Sequence, residues 1–245
     1  MIKIENLGKV YKTGITKKPV TALQNIDLHV GRGEVFGFLG PNGAGKSTTI
    51  KILLNLIYPT TGQATIMGMD VSRPAVREKV GFLPENPYFY DYLTPRELLW
   101  FGGKSSGLSG EQIKGNTEVL LRKVDLLAVQ ERQLRTFSKG MVQRAGLALA
   151  LIHDPEVVIL DEPMSGLDPV GRKMVGDLIL DLKQAGKTVF FSSHILNDVE
   201  RFCDRVGIVV GGRLRLVDEL TSLISNSTTL EDVFFEQIEK VRGGN

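Results

Sequence analysis

The chain has 245 residues, enough for one large domain or for a domain with a sizeable subdomain. Its apolar fraction of 42% and charged fraction of 24% are ordinary for a globular protein, and a net charge of +2 is too small to argue for a nucleic-acid partner. No long uncharged apolar window is present, so we expect neither a membrane span nor a signal peptide. The one cysteine, Cys203, excludes a disulfide or zinc framework.

Strand patterns dominate the first third of the chain. Residues 2–4 and 26–30 alternate apolar and polar side chains, as half-buried strands do. Residues 35–40, VFGFLG, are a continuous apolar run that is typical of a strand covered on both faces. A helix is predicted over about residues 46–57. Two further strands are predicted at residues 62–68 and 80–84.

The pattern changes to helices between residues 86 and 155. Residues 94–97 read TPRE, a capping box with proline at the first helical position. Residues 109–112, SGEQ, offer a second helix start of the same kind. A third helix is predicted over about residues 138–153. This segment is therefore predicted to be all-helical.

Strand patterns then return. VVIL at 157–160 and TVFFS at 188–192 are separated by a helix predicted over about residues 169–184. Residues 206–217 are predicted to form a two-stranded hairpin that turns at a Gly-Gly pair. The whole pattern predicts an α/β protein, with a sheet that carries an antiparallel part and with a helical insertion.

The last segment, residues 228–241, is predicted to be an amphipathic helix. The apolar side chains that share one of its faces are Leu230, Val233, Phe234 and Ile238. We favour packing of this face on the chain's own core over a contact with a second subunit. The predicted organisation is an α/β core of residues 1–85 and 156–225, a helical subdomain of residues 86–155, and a C-terminal helix and tail of residues 226–245.

Residues 40–47, GPNGAGKS, match the phosphate-binding pattern G-x-x-x-x-G-K-[ST] between a predicted strand and a predicted helix. Glycines let consecutive backbone N–H groups turn inward around phosphate oxygens, and the helix aims its positive end at the same anion. Lys46 is expected to reach the β- and γ-phosphates, and Ser47 to offer its hydroxyl to Mg²⁺. The residues predicted to contact the nucleotide here are Gly40, Pro41, Asn42, Gly43, Ala44, Gly45, Lys46, Ser47 and Thr48.

Two carboxylates, Asp161 and Glu162, follow the buried run VVIL. Asp161 is expected to hold the Mg²⁺ side of the site, directly or through water. Glu162 is placed to accept a proton from an attacking water. His194 ends the next predicted strand, and because ligand sites of open α/β sheets lie at strand ends, we assign it to the same site. The predicted fold is a P-loop nucleoside-triphosphatase core.

Five features stand in one order along the chain. They are the phosphate loop, the helical insertion, FSKGMVQR at 137–144, LDEPMSGLDP at 160–169 and SSH at 192–194. Their combination resembles the nucleotide-binding subunit of ABC transporters over roughly residues 1–225. The resemblance implies ATP and Mg²⁺ as cofactors and ATP hydrolysis as the reaction.

FSKGM occupies the place of the family's signature, usually written LSGGQ. Ser138 and Gly140 match that signature, and its other three residues depart from it in a way that looks like exporter-type subunits. Independently of the resemblance, Ser138 is a good N-cap, so the helix that it starts has free N–H groups that can bind a γ-phosphate. In the family this helix binds the ATP of the other subunit, in a head-to-tail dimer with a second copy or a homologous subunit.

The resemblance assigns three further residues. His194 matches the family's switch histidine, which contacts the γ-phosphate. Asp168, in SGLD, matches the D-loop, through which the state of one site would pass to the other. Tyr11 lies where the family places an aromatic ring that stacks on adenine, with packing at the strand end as the alternative.

The stretch LPENPYFYDY, residues 83–92, lies where the core gives way to the helical insertion. Glu85 stands where many family members have glutamine, and we expect it near the Mg²⁺ or the attacking water. The rings behind it belong to Tyr88, Phe89, Tyr90 and Tyr92. Two prolines disfavour a regular buried element here, and rings on an irregular surface commonly anchor protein–protein contacts. We therefore predict that these rings together dock a membrane permease, with core packing as the alternative.

The resemblance implies a subunit that powers transport, with export favoured, through a separate membrane permease. It would lie at the cytoplasmic face of the cell membrane, held there by the permease, and we expect no nucleic-acid partner. The alternative is a soluble ABC ATPase with a regulatory or nucleic-acid-linked role. Cohesin-like relatives need long coiled coils between the motifs, and translation-factor relatives carry two cassettes, whereas this chain has one cassette with a short interval.

Overall fold

The computed structural model describes residues 1–12, 18–224 and 228–242. In these ranges the strands are β1 (Ile2–Tyr11), β2 (Val20–Val30), β3 (Val35–Leu39), β4 (Thr61–Ile66), β5 (Met69–Asp70), β6 (Val80–Leu83), β7 (Val157–Asp161), β8 (Thr188–Ser193), β9 (Arg205–Val210) and β10 (Arg213–Glu219). The helices are α1 (Lys46–Leu53), α2 (Pro74–Arg77), α3 (Pro95–Ser105), α4 (Gly110–Lys123), α5 (Lys139–Leu151), α6 (Pro169–Gln184), α7 (Leu196–Phe202), α8 (Leu220–Leu223) and α9 (Leu230–Arg242).

These strands form two sheets. One is antiparallel, with the order β2-β1-β4-β5. The other has the order β10-β9-β3-β8-β7-β6, in which β10 is antiparallel to β9 and the remaining neighbours are parallel. Because parallel strands end at one edge of a sheet, the segments that follow β3, β6, β7 and β8 lie side by side. The α/β class and the antiparallel part predicted from the sequence are confirmed.

The two sheets are joined behind the phosphate loop by the turn of the β9–β10 hairpin. Gly211 and Gly212 have φ angles of 58° and 75°, which is the left-handed region that glycine tolerates. The N–H of Gly212 donates to the carbonyl of Ala44 at 3.0 Å, and its carbonyl accepts from the N–H of Gln24 at 2.7 Å. A Cβ at Gly212 would lie 2.5 Å from the carbonyl oxygen of Ala22. The predicted Gly-Gly turn therefore also connects the sheets.

The helix starts agree with the predicted caps. Thr94 and Ser109 each form a complete capping box, with Glu97 and Gln112 respectively.

The end of α1 differs from the prediction, which extended the helix to residue 57. Asn55 adopts a φ of 52°, and its N–H and that of the next residue bond back into the last turn of α1. This left-handed C-terminal cap ends the helix at Leu53.

The segment between residues 86 and 155 contains α3, α4 and α5, together with short 3-10 helices at Leu127–Val129 and Leu134–Thr136. One continuous apolar cluster runs from these helices into the parallel sheet. The approach of α5 to β6 is close, since a Cβ at Gly81 would lie 2.2 Å from the carbonyl oxygen of Ala150. The division into core and helical subdomain stays a prediction, and its boundary at residues 225 and 226 and the tail at 243–245 fall outside the described residues.

Helix α9 packs on the chain's own core, as we favoured. Leu230, Val233 and Phe234 are buried in the cluster that also contains side chains of α7 and β9, and Ile238 packs against it. The start of α9 is tied to α7, because the Glu200 carboxylate accepts the N–H of Leu230 at 3.1 Å. None of the helices in the described ranges is long and apolar enough to cross a membrane.

The two neighbouring phenylalanines of α9 test this packing. Phe234 is 8% exposed and Phe235 is 51% exposed. We expect Phe234→Ala to lower the free energy of unfolding by about 3–5 kcal/mol, because it empties a buried volume. Phe235→Ala is the matched control and should change stability by much less. Urea unfolding followed by circular dichroism measures both, and equal effects would contradict this packing.

Candidate active site

The loop between β3 and α1 presents its backbone to an anion. Gly43 and Gly45 have φ angles of 78° and 112°, and Gly45 is the N-cap of α1. A Cβ at Gly45 would lie 2.6 Å from Cδ2 of Leu23 and 2.8 Å from the carbonyl oxygen of Ala22. Glycine is thus required here by both conformation and space. The loop places the positive end of α1 and its free N–H groups at the edge of the parallel sheet.

Lys46 is buried beneath this loop. Its Nζ donates to the carbonyl of Gly40 at 2.7 Å and lies 3.4 Å from Oε1 of Glu162. The side chains of both Lys46 and Glu162 are more than nine-tenths buried. A buried ammonium group needs such partners because its desolvation is costly. Phosphate oxygens entering the loop would offer Lys46 a stronger charge partner than the carbonyl of Gly40.

The two acids sit at the end of β7 in different surroundings. Oδ1 of Asp161 accepts from the hydroxyl of Ser192 at 2.6 Å and lies 3.4 Å from Oγ of Ser47. The backbone of Glu162 turns into the left-handed region, with a φ of 51°, and its N–H bonds to Ser192 through both the hydroxyl and the carbonyl. The sequence pattern alone indicates no role for Ser192. The register that pairs Asp161 with Ser192 gives it one.

Ser47 and Asp161 suit Mg²⁺. Both present hard oxygen ligands close together at the mouth of the phosphate loop, and Mg²⁺ usually takes few protein ligands and completes its shell with phosphate oxygens and water. The residues present therefore fit a magnesium ion that arrives with a nucleotide.

His194 closes the site on the other side of Glu162. Its Nδ1 lies 2.8 Å from Oε2 of Glu162, and its side chain is about half exposed. The two oxygens of Glu162 are thus divided between Lys46 and His194. The position of His194 at the end of β8 agrees with the strand-end argument made from the sequence.

One cavity of about 380 Å³ brings these groups together. Its lining consists of Ala22, Pro41, Asn42, Gly43, Ala44, Gly45, Lys46, Ser47, Thr48, Glu85, Glu162 and His194. Most of the predicted nucleotide contacts are therefore found in one place. Gly40 and Asp161 lie behind this lining, bonded to Lys46 and to Ser192 respectively.

Tyr11 is not part of the cavity lining. It pairs with Val20 at the end of the β1–β2 ladder, and the ammonium group of Lys9 lies 5.1 Å from the centre of its ring. This arrangement agrees with the alternative of strand-end packing. Stacking of Tyr11 on adenine stays a prediction.

The signature residues form a second surface away from the cavity. Ser138 caps α5, and its Oγ accepts the N–H of Met141 at 3.2 Å. Asp168 caps α6 by accepting the N–H of Gly171 at 2.7 Å. A Cβ at Gly140 would lie 3.2 Å from Cδ2 of Leu167, so the start of α5 lies against the segment before α6. The structure therefore places Ser138, Gly140 and Asp168 together, outside the lining of the cavity that holds Lys46.

The aromatic stretch divides into two parts. Tyr88, Tyr90 and Tyr92 are exposed by 93%, 64% and 58%, and the rings of Tyr90 and Tyr92 stack with their centres 5.7 Å apart. Phe89 instead packs inward, because a Cβ at Gly146 of α5 would lie 3.3 Å from its ring. Phe89 therefore agrees with the alternative of core packing and anchors the loop, while docking of a permease on the rings stays a prediction.

Comparison with known proteins identifies the site. Residues 23–165 match the family model described as ABC transporter. The chain belongs to the ABC transporter family. It is 44% identical over 236 residues to an uncharacterised ABC transporter ATP-binding protein of Synechocystis, covering 95% of this chain and 67% of that protein. It is 37% identical to the lantibiotic transport ATP-binding protein SrtF of Streptococcus pyogenes, covering 97% of each.

Solved structures agree with this assignment. An ATP-binding subunit of an ABC transporter superposes with a TM-score of 0.86 at 30% identity, covering 97% of this chain and 99% of that one. A dimeric ATP-binding cassette in a post-hydrolysis state, bound to ADP and phosphate, superposes with a TM-score of 0.83 at 27% identity, covering 90% and 99%. The present protein is thus an ATP-binding subunit of an ABC transporter and an ATPase.

Ser192 offers a test of how the acids are held. We expect Ser192→Ala to lower the free energy of unfolding by about 1–3 kcal/mol, because it removes the buried donor to Asp161 and one acceptor for the Glu162 N–H. The ATPase rate should fall with it, since Asp161 loses its orientation. Ser193→Ala is the matched control, because among the residues that the structure describes the Ser193 hydroxyl bonds just the backbone of Ile195. Chemical denaturation and a steady-state ATPase assay would show the difference, and equal ATPase rates of the two variants would contradict it.

Proposed function

We propose that this subunit powers export of a substrate through a separate membrane permease, as one of two paired ATPase subunits. The observation that supports the catalytic part is the division of the Glu162 carboxylate between Lys46 and His194 at the mouth of the phosphate loop. The direction of transport is supported by relatives named for lantibiotic transport, bacitracin transport and linearmycin resistance. Besides SrtF, they include the bacitracin transport protein BcrA of Bacillus licheniformis, at 41% identity over 87% of this chain.

In this proposal Lys46 and the N–H groups of the loop hold the triphosphate of ATP. Ser47 and Asp161 would hold Mg²⁺, with Glu85 contributing directly or through water, and the ion would neutralise charge on the phosphates. Glu85 is exposed and lines the same cavity as Glu162 and His194, which supports a role on the γ-phosphate side. Its carboxylate would respond to the charge of the bound phosphate.

Glu162 is the proposed general base. When phosphate oxygens replace Glu162 as the charge partner of Lys46, the 3.4 Å ion pair of Glu162 Oε1 is lost. This oxygen is then free to accept a proton from water. Oε2 stays within reach of His194, which keeps the carboxylate oriented. The half-exposed ring of His194 then contacts the γ-phosphate with its other nitrogen.

Ser138 and Gly140 are proposed to act on the ATP of a partner subunit. Within one chain they lie outside the cavity that holds Lys46, so the site is completed only by a second subunit. The likeness to a dimeric cassette bound to ADP and phosphate supports this pairing. Asp168, at the start of α6 and next to the signature, would pass the state of one site to the other.

Glu162→Gln tests the base assignment. We expect ATP binding to persist and turnover to fall about 100-fold or more, because the amide cannot accept the proton. The variant should also accumulate as an ATP-dependent dimer. Glu156→Gln is the control, since Glu156 is a partly exposed acid at the other end of β7 whose carboxylate faces Lys79. A steady-state ATPase assay and size-exclusion chromatography with ATP give the answer, and wild-type turnover of Glu162→Gln would refute the assignment.

The proposed permease contact is the set of exposed rings at Tyr88, Tyr90 and Tyr92. These rings begin three residues after Glu85, on a loop held to α5 by Phe89. A permease segment seated on them would therefore be close to the residue proposed to respond to the γ-phosphate. The subunit would be held in this way at the cytoplasmic face of the membrane.

Ring removal tests the docking surface. We expect Tyr88→Ala combined with Tyr90→Ala to leave ATP binding intact and to abolish co-purification with the cognate permease, because exposed rings contribute to contacts and not to the core. Tyr58→Ala is the control, as Tyr58 is an equally exposed ring in a different loop. Permease association unchanged by the double substitution would refute the docking surface, while the ATPase predictions would stand.

A further inference from the structure

Asp198 of α7 carries a buried carboxylate oxygen without a hydrogen-bond donor. Its Oδ2 has no partner among the residues that the structure describes. Burial raises the pKa of the Asp198 carboxyl. An unpaired buried carboxylate oxygen is unfavourable, and such groups in native proteins commonly mark a functional demand.

Charged side chains lie near this carboxylate. Its pKa is raised mainly by burial and further by the charge of Glu162, while the guanidinium groups of Arg172 on α6 and of Arg201 act to lower it. The guanidinium of Arg201 already lies over the ring of Phe202, at 5.3 Å from its centre. Arg172, in contrast, forms no ion pair with the acids in the described ranges. Arg172 and Asp198 thus carry opposite charges on neighbouring helices, and no ion pair joins them within the described ranges.

The first turns of α6 and α7 lie next to different residues of the proposed site. α7 begins two residues after His194. Arg172 lies in the first turn of α6, and its N–H bonds to the carbonyl of Asp168, the cap of that helix. The contact between the helices is close, because a Cβ at Gly176 would lie 2.1 Å from the ring of Phe202. Arg172 lies four residues before Gly176, and Asp198 lies four residues before Phe202, so the two side chains occupy equivalent places on the packed helices.

We propose that Arg172 and Asp198 are positioning residues that form an ion pair in the ATP-bound subunit and fix His194 relative to the Asp168 segment. A γ-phosphate beside Glu162 and His194 adds negative charge close to Asp198, so its uncompensated carboxylate becomes more unfavourable. The flexible guanidinium of Arg172 then compensates this charge. The inference relies on the roles proposed above for His194 and Asp168.

Asp198→Asn keeps the shape of the side chain and removes its charge. This change distinguishes a positioning role of Asp198 in catalysis from a purely structural role. We expect Asp198→Asn to unfold at a temperature at least as high as wild type without nucleotide, because it removes an unpaired buried charge. Its kcat for ATP should nevertheless fall about tenfold, with a smaller change in KM. Arg172→Gln should show the same kcat loss, and Arg172→Lys should recover most of it because it keeps the charge. Lys173→Gln, at the neighbouring exposed residue, is the matched control.

The double variant decides whether the two residues act as a pair. If they do, Asp198→Asn with Arg172→Gln should lose no more kcat than either single change. Multiplied losses in the double variant, or wild-type kcat in Asp198→Asn, would overturn the pair. His194→Ala in the same assay distinguishes the proposals. Wild-type turnover of His194→Ala would refute the role of His194 and the positioning together, whereas an inactive His194→Ala beside a fully active Asp198→Asn refutes the pair alone.

Discussion

The organisation of the active site depends on how the carboxylate of Glu162 is shared. Lys46 lies 3.4 Å from one oxygen and His194 lies 2.8 Å from the other, so groups from the ends of β3, β7 and β8 meet at one buried side chain. A carboxylate this deeply buried is unfavourable without such partners. The parallel register that places Asp161 beside Ser192 is what keeps all three strand ends level. The site is therefore built from several strand ends at one edge of the parallel sheet, and not from the phosphate loop alone.

The positions of the candidate site residues could be predicted from the sequence because a phosphate-binding site admits few residue types. A glycine loop with Lys46 and Ser47, two acids at a strand end and a strand-end histidine all lie where they were predicted. The role of Ser192 could not be read, since it depends on a register between strands far apart in the chain. The same limit applies to Phe89, whose inward packing depends on a gap at Gly146 that the local pattern of prolines and rings does not reveal.

The signature surface is separate from the nucleotide cavity of the same chain. The nucleotide cavity is lined by Lys46, Ser47 and Glu162. The signature surface, which carries Ser138 and Gly140, lies outside that lining. Asp168 caps the helix next to this surface, and Arg172 and Asp198 are the pair proposed to join the same helix to the segment that carries His194 when ATP is bound. The signature surface and the segment that carries His194 are thus joined in the fold through α6 and α7, which pack directly on each other at Gly176.

The turn at Gly211 and Gly212 has a consequence for nucleotide affinity. It bonds to Ala44 on the back of the phosphate loop and to Gln24 of the antiparallel sheet. Ordering a flexible loop around a ligand costs free energy, and a loop already fixed in its bound shape avoids that cost. The hairpin therefore preorganises the phosphate loop from behind. The turn lies outside the lining of the nucleotide cavity, so a search for binding residues by contact would miss its part in holding the phosphate loop.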